Sequence, residues 1–285
     1  MAAEAVSYYE ITLNHYPLTR PIHQSTSDDH QSMERLIIIA TRNAYMLTYD
    51  AHADKPLQLF HGVMLKKVWA MPMPKTFKPI ANVVMTDDQV MVQRGRFVFE
   101  YSLSNFVVKS VRSVEKGWYL MAISDPQGIG VYLKPSAIPH QSNLLIWNND
   151  KEHLLAGNFS LSMSISLDQN KIFVVDSGCR LHIYSTEGEL LLYVQLNFQP
   201  VPRCGLASFG SDFVIAGKRS LHHYKLCDGN IFDCGVFENE ALAGAEEEVD
   251  GIGRNKDWIN VVVGNKDGSH VMREAHFQSD IASDD

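Results

Sequence analysis

Polar and apolar residues alternate without a break from Asn158 to Leu167, the period of two that marks a strand with one face buried. Turn residues Asp168-Gln169-Asn170 follow, then the apolar run Lys171–Val175, a tight turn at Ser177-Gly178, and a third run at Arg180–Tyr184. Thr186–Glu189 turns the chain again into Leu190–Val194. Four short strands joined by tight turns form an antiparallel meander that cannot bury both of its faces alone. It needs copies on either side, the physical logic of a propeller blade.

The same phrase recurs along the chain. Runs at 35–40 and 44–49 flank Arg42-Asn43, and runs at 57–60 and 67–70 follow. Segments 80–85, 89–93 and 96–101 are separated by Asp87-Asp88 and Arg94-Gly95. Later units comprise 118–123, 130–133 and 143–147, then 205–209, 212–216 and 221–226, and finally 258–263 with 269–273 after Asn265–Gly268. Aromatic anchors at Tyr49, Tyr101, Trp147, Tyr184 and Tyr224 stand 52, 46, 37 and 40 residues apart, close to the ~40–45 residues of a WD-type blade. No long amphipathic helix is visible, so α/β architectures have little support. The pattern predicts an all-β chain, a single seven-bladed WD-repeat-like β-propeller of four-stranded antiparallel blades over 1–285. Six blades, or a pair of β-sandwiches, fit the same pattern. Residues 1–33 read as an irregular segment that closes the ring, with a strand near Tyr8–Asn14, and 227–250 as an acidic surface loop.

Composition narrows function more than fold. Hydrophobic residues make up 45% of the chain, enough for a sizeable core, and no run approaches the ~20 apolar residues of a spanning helix. The start lacks a basic-then-apolar leader pattern, which leads us to expect a cytosolic or nuclear protein. A net charge of −8 argues against nucleic acid as the main partner and weakens attraction to anionic membrane. The four cysteines have no Cys-x-x-Cys spacing. His222 and His223 are adjacent on a strand and point to opposite faces, so neither metal nor cofactor is expected. Gly128-x-Gly130 lacks the strand-then-helix context of a dinucleotide site, and no nucleophile, base and orienting group can be assembled. Lys66, Lys67, Lys75 and Lys78, interleaved with Trp69 and Phe77, form a basic-aromatic cluster suited to an acidic partner segment or a membrane.

Segments 80–101, 118–133, 173–184 and 257–268 resemble, in order and character, blades of the PROPPIN (WIPI) family, seven-bladed propellers that bind phosphoinositides and work in autophagy. The resemblance covers about two thirds of the chain. It also implies two phosphoinositide pockets served by a Phe/Leu-Arg-Arg-Gly motif, and here the chain departs from the family. Aligned by the preceding turn, those positions hold Val194, Gln195, Leu196 and Asn197, while Cys179 replaces the family's threonine and His182 a pocket arginine. Guanidinium forks grip phosphate bidentately, and an amide and an isobutyl group do not. The family's membrane-dipping loop corresponds to 227–250, where Ile231-Phe232 and Val236-Phe237 could form an apolar tip beside an acidic run that repels an anionic leaflet.

The expected function is a non-enzymatic scaffold, cytoplasmic and in at most weak peripheral contact with membranes. It would bind peptide segments of other proteins on blade edges or the top face, in autophagy or membrane trafficking, without the family's arginine motif. The alternatives are a phosphoinositide-binding effector of autophagosome formation that uses other basic residues, and a generic WD-repeat subunit of a larger complex.

Overall fold

The structure, a computed structural model, describes residues 11–16, 37–42, 45–49, 57–61, 66–71, 80–124, 128–135, 142–148, 151–155, 159, 163–168, 170–238, 242–244, 246–255, 258–265 and 270–277. The N-terminal strand is β1 (Ile11–Tyr16). The first blade then takes β2 (Ile37–Arg42), β3 (Tyr45–Tyr49), β4 (Leu57–His61) and β5 (Lys66–Met71). The second takes β6 (Ile80–Met85), β7 (Gln89–Arg94), β8 (Phe97–Ser102) and β9 (Val108–Ser113). The third takes β10 (Tyr119–Ser124), β11 (Ile129–Pro135), β12 (Ser142–Asn148) and β13 (Lys151–Leu155). The fourth takes β14 (Ser164–Asp168), β15 (Lys171–Val175), β16 (Arg180–Ser185) and β17 (Leu190–Gln195). The fifth takes β18 (Leu206–Phe209), β19 (Asp212–Ala216), β20 (Leu221–Cys227) and β21 (Asn230–Phe237). Last come β22 (Glu247–Asn255), β23 (Trp258–Asn265) and β24 (His270–Phe277).

Each blade is an antiparallel sheet in chain order, and β1 pairs with β24 to supply the outer strand of the sixth. The innermost strands β2, β6, β10, β14, β18 and β22 each touch the next, and β22 returns to β2. The described residues therefore form a closed β-propeller of six four-stranded blades, where seven were expected. The extra blade comes from counting the weak N-terminal signal as a unit of its own, whereas β1 completes the sixth blade against β24. The aromatic anchors, too, differ from expectation in one place. Tyr101, Trp147, Tyr184 and Tyr224 each lie on the third strand of a blade, opposite the second residue of the strand before. In the first blade that position belongs to Phe60, opposite Met46, and Tyr49 lies one strand earlier. Phe60 stands 41 residues before Tyr101 and restores the period.

The packing explains which strands are apolar throughout. The second strand of a blade is sandwiched by both neighbouring blades, so β7 is buried at every residue and β15 and β19 at all but the first. Among the described residues, one apolar cluster fills each of the five seams from the first blade to the sixth. Leu47, Leu57 and Leu59 meet Val83, Val90 and Val92 between the first and second blades. Phe173 and Phe213, with ring centroids 5.2 Å apart, meet between the fourth and fifth.

The seams also carry polar bonds that the alternation disguised. In β14 the polar positions Ser164 and Ser166 are buried, not solvent-facing. Ser164 Oγ accepts from the Gly205 N–H at 3.0 Å, and Ser166 Oγ lies 2.6 Å from Ser208 Oγ. Between the second and third blades, the Gln93 amide accepts from the Leu120 N–H at 2.7 Å and donates to the Trp118 carbonyl. A blade that buries polar backbone ends against its neighbour must satisfy them, and these side chains do so.

Segment 227–250 is mostly strand rather than loop. Asp228 and Gly229, with φ of 50° and 75°, make the two-residue turn between β20 and β21. Both residues need positive φ, as a type I′ hairpin requires. Among the few residues left between β21 and β22, Leu242 and Ala243 are buried at 0% and 1% exposure in the seam of the fifth and sixth blades. Arg219 donates to the Gly244 carbonyl at 2.8 Å and Arg273 to the Leu242 carbonyl, while Arg273 pairs with Glu247 at 2.9 Å.

Candidate functional site

Two places in the ring concentrate polar chemistry: the axial channel and the turn end of the fourth blade. The channel, about 240 Å3, is walled by the inner strands, with Met85, Met121, Met163, Ile165, Leu206 and Ile252 along it. Asp168 sits at the end of β14, where it accepts from the Gly210 N–H and lies 3.6 Å from the Arg254 guanidinium. Its lining mixes these apolar side chains with polar and charged ones, among them Asn82, Thr86, Asp87, Asp88, Arg203 and Arg254.

In the fourth blade the turn between β15 and β16 is organised by Asp176. This carboxylate is 3% exposed and accepts from the Gly178 N–H at 2.9 Å, the Arg180 N–H at 3.1 Å and Arg180 Nε at 2.8 Å. His182 Nε2 lies 3.1 Å from the same carboxylate. Burial by itself would raise the Asp176 carboxyl, but the hydrogen bonds from Arg180 and His182 and the guanidinium charge outweigh it and hold the group below its ordinary range. Around His182 stand Phe159, Tyr184 and Tyr193 at centroid distances of 5.8, 6.0 and 5.2 Å. The histidine is thus a member of an aromatic cluster, fixed by a buried acid.

The positions nominated by the family motif meet only in part. Gln195 folds back over the turn, its amide donating to the Cys179 carbonyl at 3.0 Å and to that of Gly178 at 3.2 Å. Cys179 adopts a positive φ of 57° and its thiol donates to Gln199 Oε1 at 3.1 Å. Leu196 is 7% exposed and belongs to the core between the fourth and fifth blades, turned away from His182. Gln195 and Leu196 therefore serve the turn and the core respectively. Sequence reasoning passed over Asp176 and Arg180, although an acid just before a Ser-Gly turn is the signal for a side chain that caps its own turn.

The other nominated residues are scattered. Lys66 and Lys67 lie on β5 opposite His61 and Phe60, while Lys75 and Lys78 fall outside the described residues. Ile231 and Phe232 lie on β21, a paired strand: Ile231 is half-buried against the fourth blade, and Phe232 is 54% exposed. His222 stacks on Phe198 at 3.5 Å and shares a 2.9 Å hydrogen bond with Ser220, while His223 lies 2.9 Å from Asp212. Desolvation pushes the His222 imidazole below its usual value. Among the described residues no group of three or more His, Cys, Asp or Glu is placed to hold a metal ion, and no helix is long and apolar enough to cross a membrane.

No protein-family model and no curated protein matches the sequence. Solved structures do match in shape. A chain of the mitotic checkpoint complex crystal structure superposes with a TM-score of 0.53 at 7% identity, over 82% of this chain and 72% of that one. A protein of unknown function from Bacteroides caccae gives 0.51 at 13% identity, over 82% and 93%. The complex of KlAtg21 with the coiled-coil of AgAtg16 gives 0.51 at 15% identity, over 86% and 83%. At these identities the likeness is one of fold: the chain is an all-β propeller of four-stranded antiparallel blades.

Proposed function

We propose that this chain is a non-enzymatic scaffold that binds segments of other proteins on the rim of the propeller. The observation that carries the reading is the outer strands. Val107 and Val111 at the second blade, Leu154 at the third, and Phe232 and Val236 at the fifth are each 49% exposed or more, on or beside unpaired sheet edges. An edge offers a row of backbone donors and acceptors to an extended segment, and apolar side chains beside it add affinity. The fold likeness to chains solved within protein complexes, one of them with a coiled-coil, supports protein partners. The PROPPIN resemblance supports a place in autophagy or membrane trafficking, and the proposal extends to a cytoplasmic location. A phosphoinositide-dependent role has less to rest on, because Leu196 is buried and Gln195 is committed to its own turn.

The test is affinity capture of the tagged full chain from cells, quantified by mass spectrometry, beside a variant carrying Val107→Asp and Val111→Asp. The reading expects specific proteins enriched over a tag-only control and at least one of them lost with the variant. Enrichment of nothing above control, or flotation with phosphoinositide vesicles in place of protein capture, would overturn it.

A further inference from the structure

The two ends of the propeller carry opposite charge. In each blade the turn between the second and third strands lies at the end where the inner strands begin, and the other two turns lie at the far end. The turns and nearby residues at the far end include Asp87, Asp88, Glu187, Glu189, Asp212 and Asp228. Those at the near end include Arg96, Lys116, Lys134, Arg180, Lys218 and Arg219. Three of these cations are answered within the chain. Arg180 pairs with Asp176 at 2.7 Å, Lys218 with Glu248 at 3.6 Å, and Arg219 donates to the Gly244 carbonyl at 2.8 Å. Arg96, Lys116 and Lys134 are in no ion pair among the described residues. We propose that these three, at the seam of the second and third blades, form a docking site for a short acidic segment of a partner protein.

Contacts along the seam bring the three together. The Val114 N–H donates to the Arg96 carbonyl at 2.7 Å, and the turn that follows carries Glu115 and Lys116 into Trp118. The Lys134 ammonium lies over the Trp118 ring, 4.8 Å from its centroid. Gln93, 1% exposed, clamps the two blades together here: its amide donates to the Gly95 and Trp118 carbonyls and accepts from the Leu120 N–H. The Arg96 guanidinium stands 5.1 Å from the Phe97 centroid. Two of the cations are thus steadied by aromatic rings, which leave their charge uncancelled for a ligand. Glu115, exposed in the same turn, is in no ion pair among the described residues.

Charge complementarity selects the occupant. The chain carries a net charge of −8, but exposed charges are screened beyond about 8–10 Å at physiological ionic strength. A short acidic segment on this seam therefore feels the three cations beside it rather than the acids of the far end. A bilayer or a nucleic acid broad enough to cover the whole near end would also meet Glu246 and Glu248, where β22 begins. An extended segment with neighbouring carboxylates avoids them and gains apolar contact with Phe97, 43% exposed. The inference rests on the scaffold reading above and names the partner chemistry of a second surface, apart from the outer strands.

Fluorescence anisotropy of the full chain with a fluorescein-labelled peptide of alternating Glu and Ser, beside its Gln-Ser counterpart, tests it. Saturable binding of the acidic peptide, weakened by added salt, is expected, and none of the uncharged one. Arg96→Gln, Lys116→Gln and Lys134→Gln together should weaken binding about tenfold, as three exposed charge pairs lost at once. Lys116→Gln alone, at an exposed turn position, should give part of that loss and keep the wild-type thermal midpoint. Lys151→Gln, Lys171→Gln and Lys225→Gln, the same charge change toward the far end, should leave binding unchanged. Val107→Asp with Val111→Asp should retain it, so that failure of capture on the outer strands and failure of this site are separate results. Absence of saturable binding, equal weakening by the two triple variants, or tighter capture of anionic vesicles or single-stranded DNA through the same three residues would overturn the proposal.

Discussion

Ser166 and Ser208 meet hydroxyl to hydroxyl at 2.6 Å across the seam between the fourth and fifth blades, both nearly excluded from solvent. Ser166 Oγ also accepts the Ser208 N–H at 3.2 Å, so the two serines are not equivalent. Ser166→Ala strands a buried backbone donor and should cost about 1–3 kcal/mol, while Ser208→Ala should cost about 1 kcal/mol. Urea unfolding of both variants and the double variant reads the difference, and non-additivity is expected because the groups touch. Equal costs for the two single variants would contradict the assignment of donor and acceptor.

Asp176 ties the turn of the fourth blade to Arg180 and His182. Its folded-state pKa lies below the ordinary 3.8, so its contribution is complete above that value and is lost as pH falls through the lowered folded pKa. Asp176→Ala should cost about 1–3 kcal/mol at neutral pH, since it leaves the part-buried donors of Arg180 and His182 without their acceptor. Its stability should also fall less steeply than that of the wild type below pH ~4. Chemical denaturation at several pH values checks both.

The hydrophobic pattern revealed the inner strands and concealed the rim. β9, β13 and β21 are exposed along much of their length and lack the alternation that betrays a strand. They hold position through their ladders with the third strands. The acidic stretch looked like a loop because charge was read as solvation, yet Glu247 begins β22 and meets Arg273. In β14 the serines looked solvent-facing because the alternation does not distinguish water from a neighbouring blade that offers a hydroxyl. At the candidate site, the spacing that nominated Gln195 and Leu196 carries no information on their environments, which depend on the turn that Asp176 builds. That is a tertiary fact.

Leu242 plugs the seam of the last two blades without belonging to a strand. Leu242→Ala should cost about 2–5 kcal/mol, the range for a buried leucine whose surroundings collapse incompletely. Leu242→Asp should cost more, because it buries a carboxylate beside apolar strands. Thermal unfolding reads both, and a cost near zero for Leu242→Ala would mean that the segment does not fill the seam.

Burial pushes the Cys204 thiol up to about 12, while Cys227 is exposed. The thiolate is the reactive form. Ellman's reagent at mildly alkaline pH should therefore modify Cys227 at once and Cys204 only on unfolding, with peptide mapping to tell them apart. Prompt labelling of Cys204 in the folded protein would contradict the packing of the seam it occupies.

The ring of six depends on its clasp, β1 against β24, where Leu13 faces Ala275. The most direct measurement is disulfide formation between Leu13→Cys and Ala275→Cys in a chain with its four native cysteines replaced by alanine. Closure within the monomer, seen as a reducible mobility shift together with a raised thermal midpoint, is the predicted result. Free thiols under oxidation that readily bridges exposed cysteine pairs, or bridging only between molecules, would contradict a propeller closed by its N-terminal strand.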